Sequence, residues 1–101
     1  MRINTLKTAP KVRFNIEGYV MHTSASLEVI HLCLQPGQTI PLHSNPFDVV
    51  ACLVEGEATL LMGEKQVKLG LYDMAEIEKD DERGFSNSGI LEARILILKK
   101  F

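Results

Sequence analysis

The fold of this chain is restricted most by the regular spacing of turn residues between short apolar or alternating runs. Residues 27–34 form an apolar run that ends at the turn Pro36-Gly37, and residues 48–54 form another that ends at Glu55-Gly56. Proline and glycine are strong turn residues, and runs of this length bounded by turns are typical of strands. Further candidate strands are 12–16, 19–22, an arm carrying His43, 58–62, 66–69, 74–77, a segment beginning at Phe85, and 93–99.

About nine short strands with no long 3.6-residue periodicity predict an all-β sandwich or barrel. Double-sheet jelly rolls meet that description, although periodicity alone leaves an immunoglobulin-like sandwich open. The length of 101 residues predicts a single domain over residues 1–101. Residues 1–11 are weakly patterned, and we expect an N-terminal arm or an edge strand there.

The distribution of charge argues against a nucleic-acid partner. The net charge is −2, and residues 21–63 contain no lysine or arginine. A DNA- or RNA-binding domain needs a cationic face, which this part of the chain does not supply. No apolar run approaches the roughly 18 residues of a membrane span, and no signal peptide is recognisable. We therefore expect a cytoplasmic protein that binds neither nucleic acid nor membrane.

The two cysteines, Cys33 and Cys52, lie in apolar runs with no CxxC spacing and no Cys/His cluster. A zinc site is not expected from this arrangement, and reduced thiols packed in the core are the usual explanation.

One stretch has the spacing of a known motif. Gly37, His43, Asn45, Val49 and Gly56 resemble the first motif of the cupin superfamily, which normally has glycine, histidine, histidine, glutamate and glycine at these positions. The second motif is matched less well, by Tyr72-Asp73, Ile77-Glu78 and the sequence Arg-Gly-Phe-Ser-Asn at 83–87. The resemblance covers roughly residues 28–98. It implies a small single-domain cupin of the conserved-barrel type, with a double-stranded β-helix (jelly-roll) barrel and degenerate metal-binding motifs.

The same resemblance implies that the metal site is lost. Cupin metal ligands map to His43, Asn45, Val49 and Arg83, which offer one imidazole, one amide, one apolar side chain and one cation. A catalytic transition metal needs about three protein ligands, so we predict no metal and no cofactor. The alternative is a weakly held divalent transition metal, bound by His43 together with His31 if His31 faces the interior.

The predicted ligand-binding residues are His43, Asn45, Arg83, Val49 and Phe85. Alternation places neighbouring members on one face of their strands, and the resemblance implies that this face looks into the barrel. An imidazole, an amide and a guanidinium over apolar walls suit a small molecule with a carboxylate, phosphate or sugar-like group. Two simpler readings stay open: His43 bonds the loop at Pro41 or Pro46, or Arg83 pairs with the acidic residues before it at the surface.

Three function classes follow. The first is a small-molecule-binding or regulatory module without metal. The second is a cupin enzyme of the dioxygenase, isomerase or epimerase type, with or without metal; whether the chain is an enzyme stays uncertain. The third is a structural homodimer without ligand, since small cupins commonly pair and the outward positions Val50, Cys52 and Val54 are apolar.

Overall fold

The computed structural model describes residues 1–13 and 15–101, and the secondary structure of these residues consists of nine β-strands. The strands are β1 (Glu17–Thr23), β2 (Leu27–Leu34), β3 (Thr39–His43), β4 (Asp48–Glu55), β5 (Ala58–Met62), β6 (Lys65–Leu69), β7 (Met74–Ile77), β8 (Arg83–Ser86) and β9 (Ala93–Lys100). No helix of the described residues is long and apolar enough to span a lipid bilayer.

The strands form two antiparallel sheets that pack face to face. One sheet has five strands in the order β1-β2-β9-β4-β7, and the other has four in the order β3-β8-β5-β6. Neighbours in each sheet are often distant in sequence, as β2 and β9 are, which is the pattern of a double-sheet jelly roll. The all-β jelly-roll prediction is confirmed.

The core lies between the sheets and is built by alternation along the central strands. On β4 the burial pattern alternates strictly from Val49 onward, and Leu53 lies opposite Ile95 of β9 with both side chains fully buried. Burying an aliphatic side chain of this size contributes about 1.5–3 kcal/mol. Val50, Cys52 and Val54 alternate with these core residues, lie on the outer face of the five-stranded sheet and are only half-buried.

Gly56 ends β4 in a conformation that other residues adopt with difficulty. Its φ is +76°, and a Cβ there would collide with the carbonyl oxygen of Glu92. The turn therefore requires glycine both for its backbone angle and for the close approach of the chain before β9.

The predicted strand at 12–16 is wrong for the residues that the structure describes; Phe14 lies outside them. Val12, Arg13, Asn15 and Ile16 are not in a strand. Val12 lies beside the start of β1, where its N–H donates to the Gly18 carbonyl at 2.9 Å. Val12 and Ile16 are apolar because they cover the core, with Ile16 5% exposed, and not because they alternate in a sheet.

The chain before that loop lies along the edge of β1. The Val20 N–H donates to the Pro10 carbonyl at 2.7 Å, and the Asn4 side-chain amide donates to the Met21 carbonyl at 2.7 Å. These bonds occupy part of an edge that would otherwise expose unpaired backbone groups.

Candidate functional site

A cavity of about 410 Å³ lies between the two sheets. Both sheets contribute to it, the five-stranded sheet through β2, β4 and β9 and the four-stranded sheet through β3 and β8. Eight apolar residues and four polar residues line it: Val12, Ile30, Leu32, Ile40, Pro41, Val49, Phe85 and Ile97, with His43, Asn45, Arg83 and Lys99.

The structure brings all five predicted ligand-binding residues to this one cavity. Arg83 and Phe85 alternate on β8 and both face inward, and Val49 faces them from β4. His43, at the end of β3, is the Cα partner of Arg83, so that their side chains can share a face.

Asn45 reaches the cavity by a different route from the one its spacing predicted. β3 ends at His43, so His43 and Asn45 do not share a strand face. The pairing of β3 with β8 is already irregular between Ile40 and His43, and the chain leaves the sheet before Pro46. Asn45 therefore lines the cavity from a loop.

Gly84 allows β3 and β8 to lie close together beside the site. A Cβ on Gly84 would collide with the Ile40 carbonyl oxygen and lie 3.0 Å from the Pro41 carbonyl carbon. The missing side chain at Gly84 therefore permits the strand approach that sets Arg83 opposite His43.

Arg83 is a buried cation that is not paired with a carboxylate of any described residue. It is 3% exposed, and none of the ion pairs among residues 1–13 and 15–101 includes it. Its Nη1 donates to the Asp81 carbonyl at a long 3.4 Å. Burial lowers the pKa of Arg83 from its ordinary value, and the more distant Asp81 carboxylate acts weakly in the other direction. The alternative that Arg83 pairs with the acidic loop at the surface is therefore wrong.

Asn45 is the side chain that satisfies Arg83 best. In the amide orientation that gives both of its polar atoms a partner, the Asn45 oxygen accepts a hydrogen bond from Nη2 of Arg83. Its nitrogen then donates to the Ser44 carbonyl at 3.1 Å. Asn45 shares in holding the guanidinium but supplies no negative charge.

His43 is fixed by the bond that one of the simpler readings predicted. Its Nδ1 lies 3.0 Å from the Pro41 carbonyl oxygen. A carbonyl oxygen only accepts, so Nδ1 carries the proton and Nε2 of the neutral ring has a free lone pair. The ring is exposed and lines the cavity, so the bond to Pro41 orients it without removing it from the site.

The residues at the four cupin ligand positions do not fit a transition-metal ion. Val49 has no donor atom, Arg83 is a cation, and the Asn45 oxygen is bonded to Arg83. His43 alone is a good ligand, whereas such sites use about three. Across the described part of the chain, no three His, Cys, Asp or Glu residues are grouped to hold a metal.

His31 does not join His43. Ile30 and Leu32 of β2 line the cavity, so His31 between them points to the outer face of the sheet, where its ring lies 6.4 Å from that of Tyr19. The pair proposed as the alternative metal site is therefore not brought together. The Nε2 atom of His31 is buried and has no hydrogen-bond partner among the residues that the structure describes. Burial, followed by the positive charge of Arg94, lowers the pKa of His31.

Sequence reasoning missed Lys99. This residue lines the cavity from β9, in the inward row that also holds Ile95 and Ile97, so alternation along 93–99 would have found it. Its Nζ is 3.4 Å from a Glu28 carboxylate oxygen and 5.8 Å from the centre of the Phe47 ring. Unlike Arg83, Lys99 has its own counter-ion.

Comparison with known proteins adds information on the fold. No protein-family model matches the sequence, and no curated protein matches it. Solved structures match well at low identity. A predicted oxalate decarboxylase from Thermotoga maritima is 13% identical with a TM-score of 0.88, covering 99% of each chain. A Cupin 2 conserved barrel domain protein from Salinispora arenicola is 14% identical with a TM-score of 0.87, covering 100% of this chain and 89% of the other.

A third similar structure is the polyketide cyclase RemF from Streptomyces resistomycificus. It is 13% identical with a TM-score of 0.86, and the match covers 99% of this chain and 79% of that one. The three matches span almost the whole chain. Two of these proteins carry enzyme names, and the third is described only by its domain. The two-sheet topology and these neighbours together establish a double-stranded β-helix fold, which the chain shares with cupin proteins of known structure.

Proposed function

We propose that the protein is a metal-free small-molecule-binding or regulatory module that holds an oxyanion of its ligand against Arg83. The ligand class is a carboxylate, a phosphate or a sugar-like acid. The observation that carries this proposal is the guanidinium of Arg83, buried in the wall of a cavity with no carboxylate paired to it among the described residues.

The energetic reason is that a buried charge is costly unless it is paired. Desolvating an ion costs several kcal/mol, and a neutral amide such as Asn45 offsets only part of that cost. A ligand oxyanion would supply the missing charge and could use the planar fork of the guanidinium for two parallel hydrogen bonds. The Nε2 lone pair of His43 also faces the cavity and would accept a hydrogen bond only from a donor group on the ligand.

The test is thermal stabilisation of the purified protein by small anions at constant ionic strength. Acetate, phenylacetate, inorganic phosphate and glucose 6-phosphate are the probes. At least one of them should raise the Tm of the wild type and leave that of Arg83→Gln unchanged, because a ligand that binds only the folded state stabilises it. The matched control is Arg94→Gln, which removes a guanidinium that is already paired with Glu55 and Glu92. Equal stabilisation of the wild type and Arg83→Gln by every probe would contradict the proposal.

An enzyme is the second candidate, because two similar structures carry enzyme names, a predicted oxalate decarboxylase and a polyketide cyclase. Acid–base chemistry would fall to His43 Nε2. It is less well supported, since none of the described residues that line the cavity is a carboxylate that could orient or assist the imidazole. Elemental analysis of untagged protein would revive a metal-dependent enzyme if it found a stoichiometric transition metal.

We also propose a homodimer formed through the outer face of the five-stranded sheet. Half-buried apolar side chains run across β2, β9 and β4 there, with Val29, Leu98 and Val50 at paired positions and Leu96 beside Cys52. A flat apolar face that meets a second copy of itself is the usual arrangement of a two-fold dimer.

The free thiols of Cys33 and Cys52 suit a cytoplasmic location.

The dimer is tested by sedimentation velocity of the wild type and Val50→Glu. A carboxylate at this position should dissociate the dimer to monomers, because it would be buried in the interface beside Glu76, the Cα partner of Val50 on β7, with no cation at its paired positions on β7 and β9. The control is Thr59→Glu, on a half-buried position of β5 in the other sheet. A protein concentration of about 100 μM is well above the dissociation constant of a specific dimer. A wild-type protein that is monomeric at this concentration would contradict this part of the proposal.

A further inference from the structure

We infer that the ligand is an apolar monocarboxylic acid, with its carboxylate on Arg83 and its hydrocarbon part against the walls of the cavity. This inference rests on the proposed function and narrows it, since it excludes phosphates, sugar acids and dicarboxylates as the preferred class.

The first step is the charge balance of the cavity. Two cations line it, Arg83 and Lys99, and no Asp or Glu is among the described lining residues. Lys99 is neutralised by Glu28 at 3.4 Å, whereas Arg83 forms no ion pair with any residue that the structure describes. The uncompensated charge is therefore one positive unit. One carboxylate matches it, while a dianion would bring a second negative charge into an apolar space.

The second step is the hydrogen-bonding capacity of the walls. Eight of the lining residues are apolar, and the Asn45 amide is already used at both ends, by Arg83 and by the Ser44 carbonyl. The remaining groups are the guanidinium itself, Nε2 of His43 and the ammonium of Lys99, which is already paired with Glu28. A sugar has several hydroxyls, and most of them would be buried without partners, which is strongly unfavourable. A hydrocarbon body leaves nothing unsatisfied.

The third step is size. A volume of about 410 Å³ equals the liquid volume of about 14 water molecules. It is near the lower end of the range for small-molecule pockets. An aromatic or branched aliphatic acid with about ten non-hydrogen atoms is within this volume.

The test is isothermal titration calorimetry with probes that change one feature at a time. Phenylacetate carries both the acid and the apolar body; acetate lacks the body, phenylacetamide lacks the charge, glutarate adds a second carboxylate, and phenyl phosphate changes the oxyanion. We expect phenylacetate to bind at least about tenfold more tightly than each of the other four, because burial of the ring and pairing of the charge each exceed that factor.

A pair of variants locates the apolar body. Val49→Phe adds a ring on the inner face of β4 and should weaken phenylacetate binding about tenfold or more, while leaving acetate binding close to that of the wild type. Leu61→Phe adds a ring on the outward side of β5, away from both the cavity and the proposed dimer face, and should change neither. If Val49→Phe does not fold, the comparison of probes on the wild type decides alone.

The outcomes separate the two levels of the proposal. If phenyl phosphate, glutarate or glucose 6-phosphate binds in an Arg83-dependent way and more tightly than phenylacetate, this inference is overturned and the proposed function stands. If no anion binds in an Arg83-dependent way, the proposed function fails and the inference fails with it.

Discussion

His31 is a base held in a partly buried, unpartnered position, and this makes the stability of the protein depend on pH. Tyr19 flanks its ring, and its Nε2 has no hydrogen-bond partner. Burial and then Arg94 lower the pKa of His31 below its ordinary value of 6.5, while Glu55, Glu92 and Glu17 oppose the shift. The carboxylates do not outweigh burial, so the folded state resists protonation of this ring.

The sign of the effect follows from proton linkage. In the window between 6.5 and the lower folded-state pKa of His31, the unfolded chain binds more protons than the folded one. The free energy of unfolding should therefore be greatest above this window and should fall as the pH drops through it. Urea titrations of the wild type and His31→Phe at pH 7.5, 6.5 and 5.5 measure this directly, with the exposed-residue variant His22→Gln as the matched control. The same loss of stability in His31→Phe as in the wild type would contradict the assignment.

At the level of elements, alternation and turn chemistry were enough to place most strands. The predicted strands 27–34, 58–62 and 74–77 have the bounds of β2, β5 and β7. These runs are short, apolar and flanked by turn residues, so local preference and tertiary packing agree. The segment 12–16 has the same apparent pattern, yet its described residues are not in a strand. The side chains of Val12 and Ile16 pack against the core, a long-range contact that local sequence preference does not predict.

Most residues of the candidate site could be predicted from the sequence, but the burial of Arg83 and its lack of a paired carboxylate could not. Spacing and resemblance named five residues that line one cavity. For Val49, Arg83 and Phe85 the reason is that alternation fixes which side of a strand a residue faces, whereas Asn45 reaches the cavity from the loop after β3. That Arg83 is buried and unpaired depends on where the Asp81 carboxylate points and on how closely β3 approaches at Gly84. Both are long-range outcomes of folding. Lys99 was missed because no motif falls on β9, although its spacing of two residues from Ile97 predicts that both side chains lie on the same face of the strand.

At the scale of the whole molecule, Arg83 links the stability of the barrel to its proposed function. A site that binds an anion through a preformed buried cation holds that cation unpaired whenever the ligand is absent. The ligand-free protein should then be less stable than the same fold with an apolar side chain at position 83, a trade-off known from functional sites. If Arg83 served only the structure, replacing it would instead lower the stability of the ligand-free protein, because the side-chain oxygen of Asn45 would lose its hydrogen-bond donor.

The variant Arg83→Met separates these two roles, since methionine keeps the length of the side chain and removes its charge. We expect the ligand-free free energy of unfolding to rise by about 1 kcal/mol or more, from the desolvation of the ion that is no longer required. For a domain of this size that corresponds to an increase in Tm of roughly 4–8 °C per kcal/mol. The matched control is Arg94→Met, which breaks ion pairs with Glu55 and Glu92 on the outer face and should give no gain. Phenylacetate should stabilise the wild type and leave Arg83→Met unchanged, so that the order of their Tm values converges or reverses as the ligand is added. A ligand-free Arg83→Met protein that melts below the wild type would assign Arg83 to the framework of the barrel, and the buried cation would then no longer indicate a binding site.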